Sequence, residues 1–404
     1  MAPPPAQAPT AGRTWWTRAI RLGLAAFALA AALAIADKQF LDLQVYRDAG
    51  RAYLNGVPLF GTGFTGAGGL RFIYGPIAAV LVVPFTLLPD MVAWGLWTML
   101  SVALLWWVLR TVCERLGLPG SSATAVTLLA PALLIGPVRD TLGYGQINII
   151  MMALVVLDVA GVIPRRFRGI GIGIAAAIKV TPAAFGLLLL VRKDYPSVVR
   201  AAGAFLLAAA LGFLFAPADS RVYWTSEFFN TDRGGPHLYG PNQAVTGLLA
   251  RMGLGRPTED IVWMVSVVVI VAAAAYSARK FTVAGEHVLA MGVVALAALL
   301  AAPLAVSHHW VYIVILLPLL LARQYASWRC PLGAAAGVFF VSAQNAVPIG
   351  GDRELSWSLT EQLLGNSEGI TGIALLAAAV ILARTRRPSG QSSIVEPEAA
   401  GVAP

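Results

Sequence analysis

Val198-Val-Arg-Ala-Ala-Gly-Ala-Phe-Leu-Leu-Ala-Ala-Ala-Leu-Gly-Phe-Leu-Phe-Ala216 decides what kind of protein this is. After Arg200 the run is continuously apolar, without the alternation of a half-buried strand, and it is about as long as a bilayer-crossing helix. The rest of the chain repeats the pattern. Of 404 residues, 58% are apolar and 12% charged, and the mean hydropathy is +0.74. A soluble domain carries about 25% charged residues, so the solvent for most of this chain is lipid. Continuous apolar runs select helices over a closed barrel. The predicted fold is an all-α polytopic transmembrane bundle. About ten spans are expected, near 22–36, 91–110, 121–137, 147–163, 198–216, 261–278, 287–304, 310–322, 331–348 and 369–383.

Two apolar segments fall short of a crossing. Pro76–Pro89 is brief, and Gly169–Val191 is split by Lys179-Val180-Thr181-Pro182. Both read as re-entrant or half-length helices, which are tolerated where they are buried in protein or line a wet cavity. The Pro/Ala-rich residues 1–18 and the tail 385–404 are expected to be disordered and cytoplasmic, flanking a membrane domain over 19–384. Ala34-Ile35-Ala36 resembles a signal-peptide cleavage site, although the first apolar stretch also suits a retained span. No internal repeat is evident.

Arg and Lys clusters orient the bundle. Arg110 and Arg115, Arg165-Arg166-Phe167-Arg168, Arg192-Lys193, Arg279-Lys280, Arg323, Arg329 and Arg384 all mark one side, taken as cytoplasmic. On that topology 14 of the 20 carboxylates face outward, Asp42, Asp140, Asp232 and Glu368 among them. The two longest polar segments, 37–75 and 217–260, lie on the same side. The net charge of +9 is therefore an orientation signal and does not point to nucleic acid. Cys113 and Cys330 supply neither a disulfide framework nor metal-ligand spacing.

Several constellations could carry chemistry. From Phe40 to Gly56 polar and apolar residues recur at three- and four-residue steps, as in an amphipathic helix lying along the interface. Asp42 at its start is either an N-cap or a general base at the water–lipid boundary. Arg139-Asp140-Thr141-Leu142-Gly143-Tyr144-Gly145-Gln146-Ile147-Asn148 leads amides into a span. Such amides either bond helices together or grip sugar hydroxyls. Lys179 beside a helix break is either a headgroup-snorkelling cation or a cavity charge, retained for function at a cost of roughly 2.5–3.5 kcal/mol. The loop from Tyr223 to Gln243 mixes aromatics with amides, suiting pyranose stacking or an interfacial aromatic belt. Ser307-His308-His309-Trp310 closes the set; neighbouring helical residues point about 100° apart, so one histidine at most faces a given ligand. There is no Asp-x-Asp pair, no Gly-x-x-x-x-Gly-Lys loop and no His-Glu-x-x-His motif. No cofactor or metal is expected. A lipid-linked phosphate would have to be met by cations such as Arg139, Lys179 or a histidine.

Taken in order, Leu41-Asp-Leu-Gln-Val-Tyr46, Phe72-Ile-Tyr-Gly-Pro76, Tyr144-Gly-Gln-Ile-Asn148, Ala177-Ile-Lys-Val-Thr-Pro182, Asn230-Thr-Asp-Arg-Gly-Gly-Pro236, Gly240-Pro-Asn-Gln243 and Ser307-His-His-Trp310 resemble glycosyltransferase family 87. These are actinobacterial α-1,2-mannosyltransferases of the GT-C architecture that use polyprenyl-phosphate mannose. The resemblance implies transfer of mannose, with inversion, to a lipid-anchored mannoside of phosphatidylinositol mannoside or lipomannan type, at the outer face of the plasma membrane. It implies that Asp42 is the catalytic base and that His308-His309 handle the donor phosphate. Arg139, Tyr144, Gln146, Asn148, Lys179, Asn242 and Gln243 match motif positions and become donor-phosphate or sugar-binding candidates. The chain departs from the family pattern at Gly75, where relatives typically carry proline, and at Pro303-Leu-Ala-Val306, where they often read Pro-Ile-Ser-Trp. A secondary transporter would also use broken helices, but transporters commonly show internal repeats and midplane sites, whereas the polar residues here gather at one face. A GT-C transferase of another lipid-linked sugar, such as arabinofuranose, is the nearer alternative.

Overall fold

A computed structural model describes residues 39–61 and 63–387, together with residues 18, 19, 21–26, 28, 29 and 32. About half of the expected first span, the Ala34–Ala36 cleavage site and nearly all of both expected disordered termini lie outside the described residues. Among the described residues the regular elements are helices, with one isolated β-bridge between Asn242 and Val306.

Among the described residues four helices are long and apolar enough to cross a bilayer: Asp90–Arg115, Tyr195–Phe215, Arg256–Val283 and Ser367–Arg384. Their exposed faces are greasy. Leu206 and Leu207 are 63% exposed and Leu214 69%, a surface that water would not tolerate. This is a membrane protein.

The helix lengths do not confirm the expected count of ten. Two further candidates are bent pairs, Ser121–Leu134 with Gly136–Tyr144 (78°) and Ser307–Leu321 with Arg323–Ala346 (113°), which brings the number among the described residues to six at most. Asn148–Val159 and His287–Ala301 have 12 and 15 residues, so they reach only about 18 and 22 Å against a hydrocarbon core of about 30 Å. Both are largely buried against other helices. Hydropathy counted them as crossings because an apolar face turned to protein reads like one turned to lipid.

The two interrupted segments do form half-length elements. Pro76–Thr86 is one helix, and Ile170–Ile178 ends at Lys179 before a 3₁₀ turn over Thr181–Phe185 and a short helix Gly186–Val191. Lys179 is extended (φ −141°, ψ 127°), and Pro182 could not have continued the preceding ladder. The broken element is anchored from behind. The carboxylate of Asp158, fully buried, accepts the amides of Gly169 (2.7 and 2.9 Å) and Ile172 (3.2 Å). Gly169 and Gly173 let Tyr195–Phe215 pack backbone to backbone. A Cβ at either would lie 2.1–2.2 Å from Ser197 O or Ala201 O, the small-residue device of helix pairs in lipid.

The amphipathic helix expected after Phe40 is present as Leu41–Leu54 and packs on Pro76–Thr86. Arg47, 2% exposed, fastens it through Phe85 O, Leu88 O and Asp90. In the polar segment 217–260 Arg251, buried, binds Tyr239 O, Asn242 O and the Asn366 side chain. Its aromatics pack on one another: Tyr223 meets Phe60, Trp224 and Phe228 at 4.9–6.3 Å between ring centroids. Glu368, counted with the outward acids, is fully buried.

Candidate active site

Asp42 is not an N-cap. The N-cap of helix Leu41–Leu54 is Phe40, in left-handed conformation (φ 54°, ψ 35°), and no side chain caps it; Asp42 lies one residue inside the first turn. Gln39 shares the positive φ at 50°. Two successive non-glycine residues there are uncommon and need outside support. Phe40 supplies some of it. Its amide donates to Gly143 O (3.0 Å), and its ring stacks on Trp94 at 5.0 Å. Gly145 (φ +66°) completes the contact, since a Cβ there would fall 2.6 Å from the Leu43 Cβ. The left-handed turn at Gly145 thus docks on the start of the helix and delivers the next residue, Gln146, to Asp42.

Gln146 is held in one orientation. Its Oε1 lies 2.8 Å from the Tyr46 hydroxyl and 3.2 Å from that of Tyr74, with the two hydroxyls 2.9 Å apart, so their two protons supply two of these three contacts and Oε1 is the acceptor. That leaves the amide nitrogen to donate to the Asp42 carboxylate. Burial pushes the Asp42 carboxyl up to about 6, against the Gln146 hydrogen bond and the charge of Lys179, both of which pull it down. A carboxylate near neutrality beside a cation is the condition for a base at physiological pH. Desolvation likewise raises both tyrosines well above their ordinary value. They stay protonated and serve as donors.

Lys179 forms the second half of the site. Its Nζ lies 2.8 Å from His309 Nε2, 3.3 Å from Asn148 Oδ1 and 5.8 Å from the Tyr74 ring centre. A hydrogen bond between His309 and backbone Leu304 uses the other ring nitrogen as donor. Nε2 is then bare and accepts from the ammonium. The 3₁₀ turn Ser307–Ile315 is fixed at its start, because His308 O accepts from Thr141 Oγ1 and Asn148 Nδ2, each at 2.9 Å. His308 packs edge-on against Tyr144 (5.5 Å) and His309 (4.8 Å). His309, and not His308, meets the lysine.

Gly75 explains one departure in the sequence. Its amide donates to Ile178 O (3.0 Å), and a Cβ would sit 2.2 Å from Ala177 O. This close approach lays Tyr74 over the break that exposes Lys179. Apolar space flanks the polar centre on both sides. One cavity of about 30 Å³ is lined by Asn148, Lys179, Pro182, Phe185, His309 and Tyr312. Another of about 190 Å³ lies along Tyr46, Tyr74, Phe85, Trp97 and Ile150.

The structure therefore gathers Asp42, Tyr144, Gln146, Asn148, Lys179, His308 and His309 in one place. Three candidates stand elsewhere. Asn242 and Gln243 are fully buried and bonded to the chain: Asn242 to His237 O, Thr246 Oγ1 and the Ala244 and Ala305 amides, Gln243 to Gly365 O and the Gly369 amide. Both brace segment 217–260 and have these groups committed to protein. Arg139 sits behind the histidine turn, within electrostatic reach of Glu368. Tyr46, Tyr74 and Thr141 were not singled out by sequence. Tyr46 follows Asp42 by four residues, the same-face spacing of a helix, but Tyr74 left no such signal. Arg233 is also near, its charge being felt at Lys179.

Residues 72–307 match the family model described as glycosyltransferase family 87. The chain is 33% identical over 383 residues to the polyprenol-phosphate-mannose-dependent α-(1-2)-phosphatidylinositol mannoside mannosyltransferase of Mycolicibacterium smegmatis, covering 87% of this chain and 86% of that protein. The Mycobacterium tuberculosis protein of the same description is 35% identical over 311 residues, 72% of this chain and 71% of the relative. A phosphatidylinositol pentamannoside mannosyltransferase of M. smegmatis is 29% identical over 261 residues, 64% and 63% of the two chains.

Proposed function

The chain belongs to glycosyltransferase family 87, and from that premise we propose that it transfers mannose from polyprenyl-phosphate mannose to a phosphatidylinositol mannoside or lipomannan, forming an α-1,2 linkage. The observation that carries this reading is the pairing of Asp42, oriented by Gln146, with the Lys179–His309–Asn148 hub. The acceptor hydroxyl attacks the anomeric carbon, Asp42 takes its proton, and the bond from that carbon to the phosphate oxygen breaks on the opposite side, with inversion. The departing polyprenyl phosphate gains negative charge, which the Lys179 ammonium offsets. Apolar side chains adjoin this centre along Phe185 and Tyr312 and along Phe85, Trp97 and Ile150, which supports lipid-linked substrates. His308 and Tyr144 border the same space and are assigned to sugar or phosphate contact; the tail of the donor enters beside Phe185 and Tyr312.

The test is direct. Purified protein in lipid nanodiscs, given labelled polyprenyl-phosphate mannose and a phosphatidylinositol mannoside, is expected to label the glycolipid in a form that an α-1,2-specific mannosidase releases. No transfer from that donor, with transfer from polyprenyl-phosphate arabinose instead, would overturn the sugar assignment.

We assign the site to the outer face of the plasma membrane, because the Arg/Lys clusters lie at the opposite ends of the helices. Cys330, exposed beside Arg329, belongs to the cytoplasmic side on this orientation. A membrane-impermeant maleimide is expected to label it in inverted vesicles and not in intact cells. Labelling from outside would reverse the topology.

A further inference from the structure

Glu368 is the most deeply buried acid near the site that the transfer chemistry does not use. It stands in the first turn of Ser367–Arg384 at 0% exposure. Its Oε1 accepts from Ser307 Oγ (2.9 Å) and from Gln344 Nε2 (2.6 Å), and Gln344 Nε2 also reaches Ser307 Oγ at 3.3 Å. Its Oε2 has no hydrogen-bond partner. A carboxyl group is costly to bury, and one kept with a single satisfied oxygen invites a reason. Gln243 contributes to its placement, since its Oε1 accepts the amide of the adjoining Gly369 (3.0 Å) while its own amide donates to Ala305 O (2.9 Å).

Ser307 is the residue before His308-His309. The histidine turn is therefore gripped from two sides: Thr141 and Asn148 hold His308 O from the site side, and Glu368 holds Ser307 from behind. We propose that Glu368 is a positioning residue for the transferase, fixing Ser307 so that His309 meets Lys179 with its bare nitrogen. It touches no substrate. The proposal rests on the mannosyl-transfer reading for its kinetic consequence, but its structural half does not.

Both halves are testable on the full chain in nanodiscs. Glu368→Ala and Ser307→Ala are each expected to lower kcat about ten- to a hundredfold, as misplacement of a catalytic group does, with acceptor KM little changed. Because both remove the Ser307–Glu368 bond, the double variant should be no worse than the more impaired single. Glu368→Gln keeps a carbonyl oxygen for Ser307 and Gln344 and should restore most of kcat. Carbethoxylation of His309 by diethyl pyrocarbonate, followed by mass spectrometry, reads the positioning without any substrate. It should quicken several-fold in Glu368→Ala and Ser307→Ala and stay at the wild-type rate in Glu368→Gln. Unchanged His309 reactivity in the Ala variants, or additive kcat losses, would overturn the positioning role. Quickened His309 reactivity in the Ala variants, together with a wild-type protein that transfers no mannose, would sink the functional reading and leave this one standing. If Glu368→Ala fails to fold, Ser307→Ala carries the same measurements.

Discussion

Asp42→Asn is expected to lower kcat/KM by about 10²–10⁴-fold, the usual contribution of a positioned base, while the protein folds normally. Normal folding follows from the helix start, which has Phe40 at its cap and no side-chain cap bond for Asp42 to make. The amide also keeps an oxygen for Gln146. The pH dependence gives a second reading of the same residue. The carboxylate is the working form and its pKa is raised to about 6, so wild-type kcat/KM should climb as pH rises through about 6 and level off above it. For stability the sign is opposite. A carboxyl whose folded value lies above the unfolded 3.8 stabilises the fold fully below that unfolded value, and the benefit is lost as pH rises through about 6. Asn is neutral throughout. At pH 7–8 the variant should therefore melt higher than wild type while being inactive, the trade expected where an active site stores an unfavourable charge. Near-normal turnover in Asp42→Asn would reject the base.

Lys179→Met is the second large effect, with an expected loss of about 10²–10³ in kcat, comparable to deleting a group that stabilises developing negative charge. Met fills the same space beside the Thr181-Pro182 break, so the broken helix is retained. Lys179→Arg should rescue little. The ammonium fits between His309 Nε2 at 2.8 Å and Asn148 Oδ1 at 3.3 Å, and a planar guanidinium is bulkier and differently directed. Single-turnover rates and donor affinity, measured separately, decide what the lysine does. A defect confined to donor KM would reduce it to ground-state binding. Loss of kcat at saturating donor is the expected result.

Legibility in the sequence followed the range of the interaction. The membrane class was readable from any one apolar run, because it depends on local composition. The half-length helices were readable from Pro182 and from segment length. The number of crossings was not, because hydropathy cannot tell a lipid neighbour from a protein one, and Asn148–Val159 is mostly buried in protein. At the site, Asp42, Gln146, Asn148, Lys179 and His309 could be picked out as polar residues in apolar settings. Asn242 and Gln243 carried the same signal, and their partners are protein: they bond segment 217–260 to itself and to Ser367–Arg384. A buried amide that braces a loop and one that faces a substrate look alike until their partners are known.

By itself the chain determined its solvent, its helical class and the small set of polar residues held at the membrane, because each follows from what a residue and its near neighbours cost in lipid. The tertiary structure alone decided which of those residues meet. Phe40 on Gly143, Gly145 on Leu43 and Gly75 on Ala177 are contacts between segments about 100 residues apart, and they are what bring a carboxylate and an ammonium to one centre. Close backbone approach needs two particular surfaces at once, so neither stretch of sequence contains it.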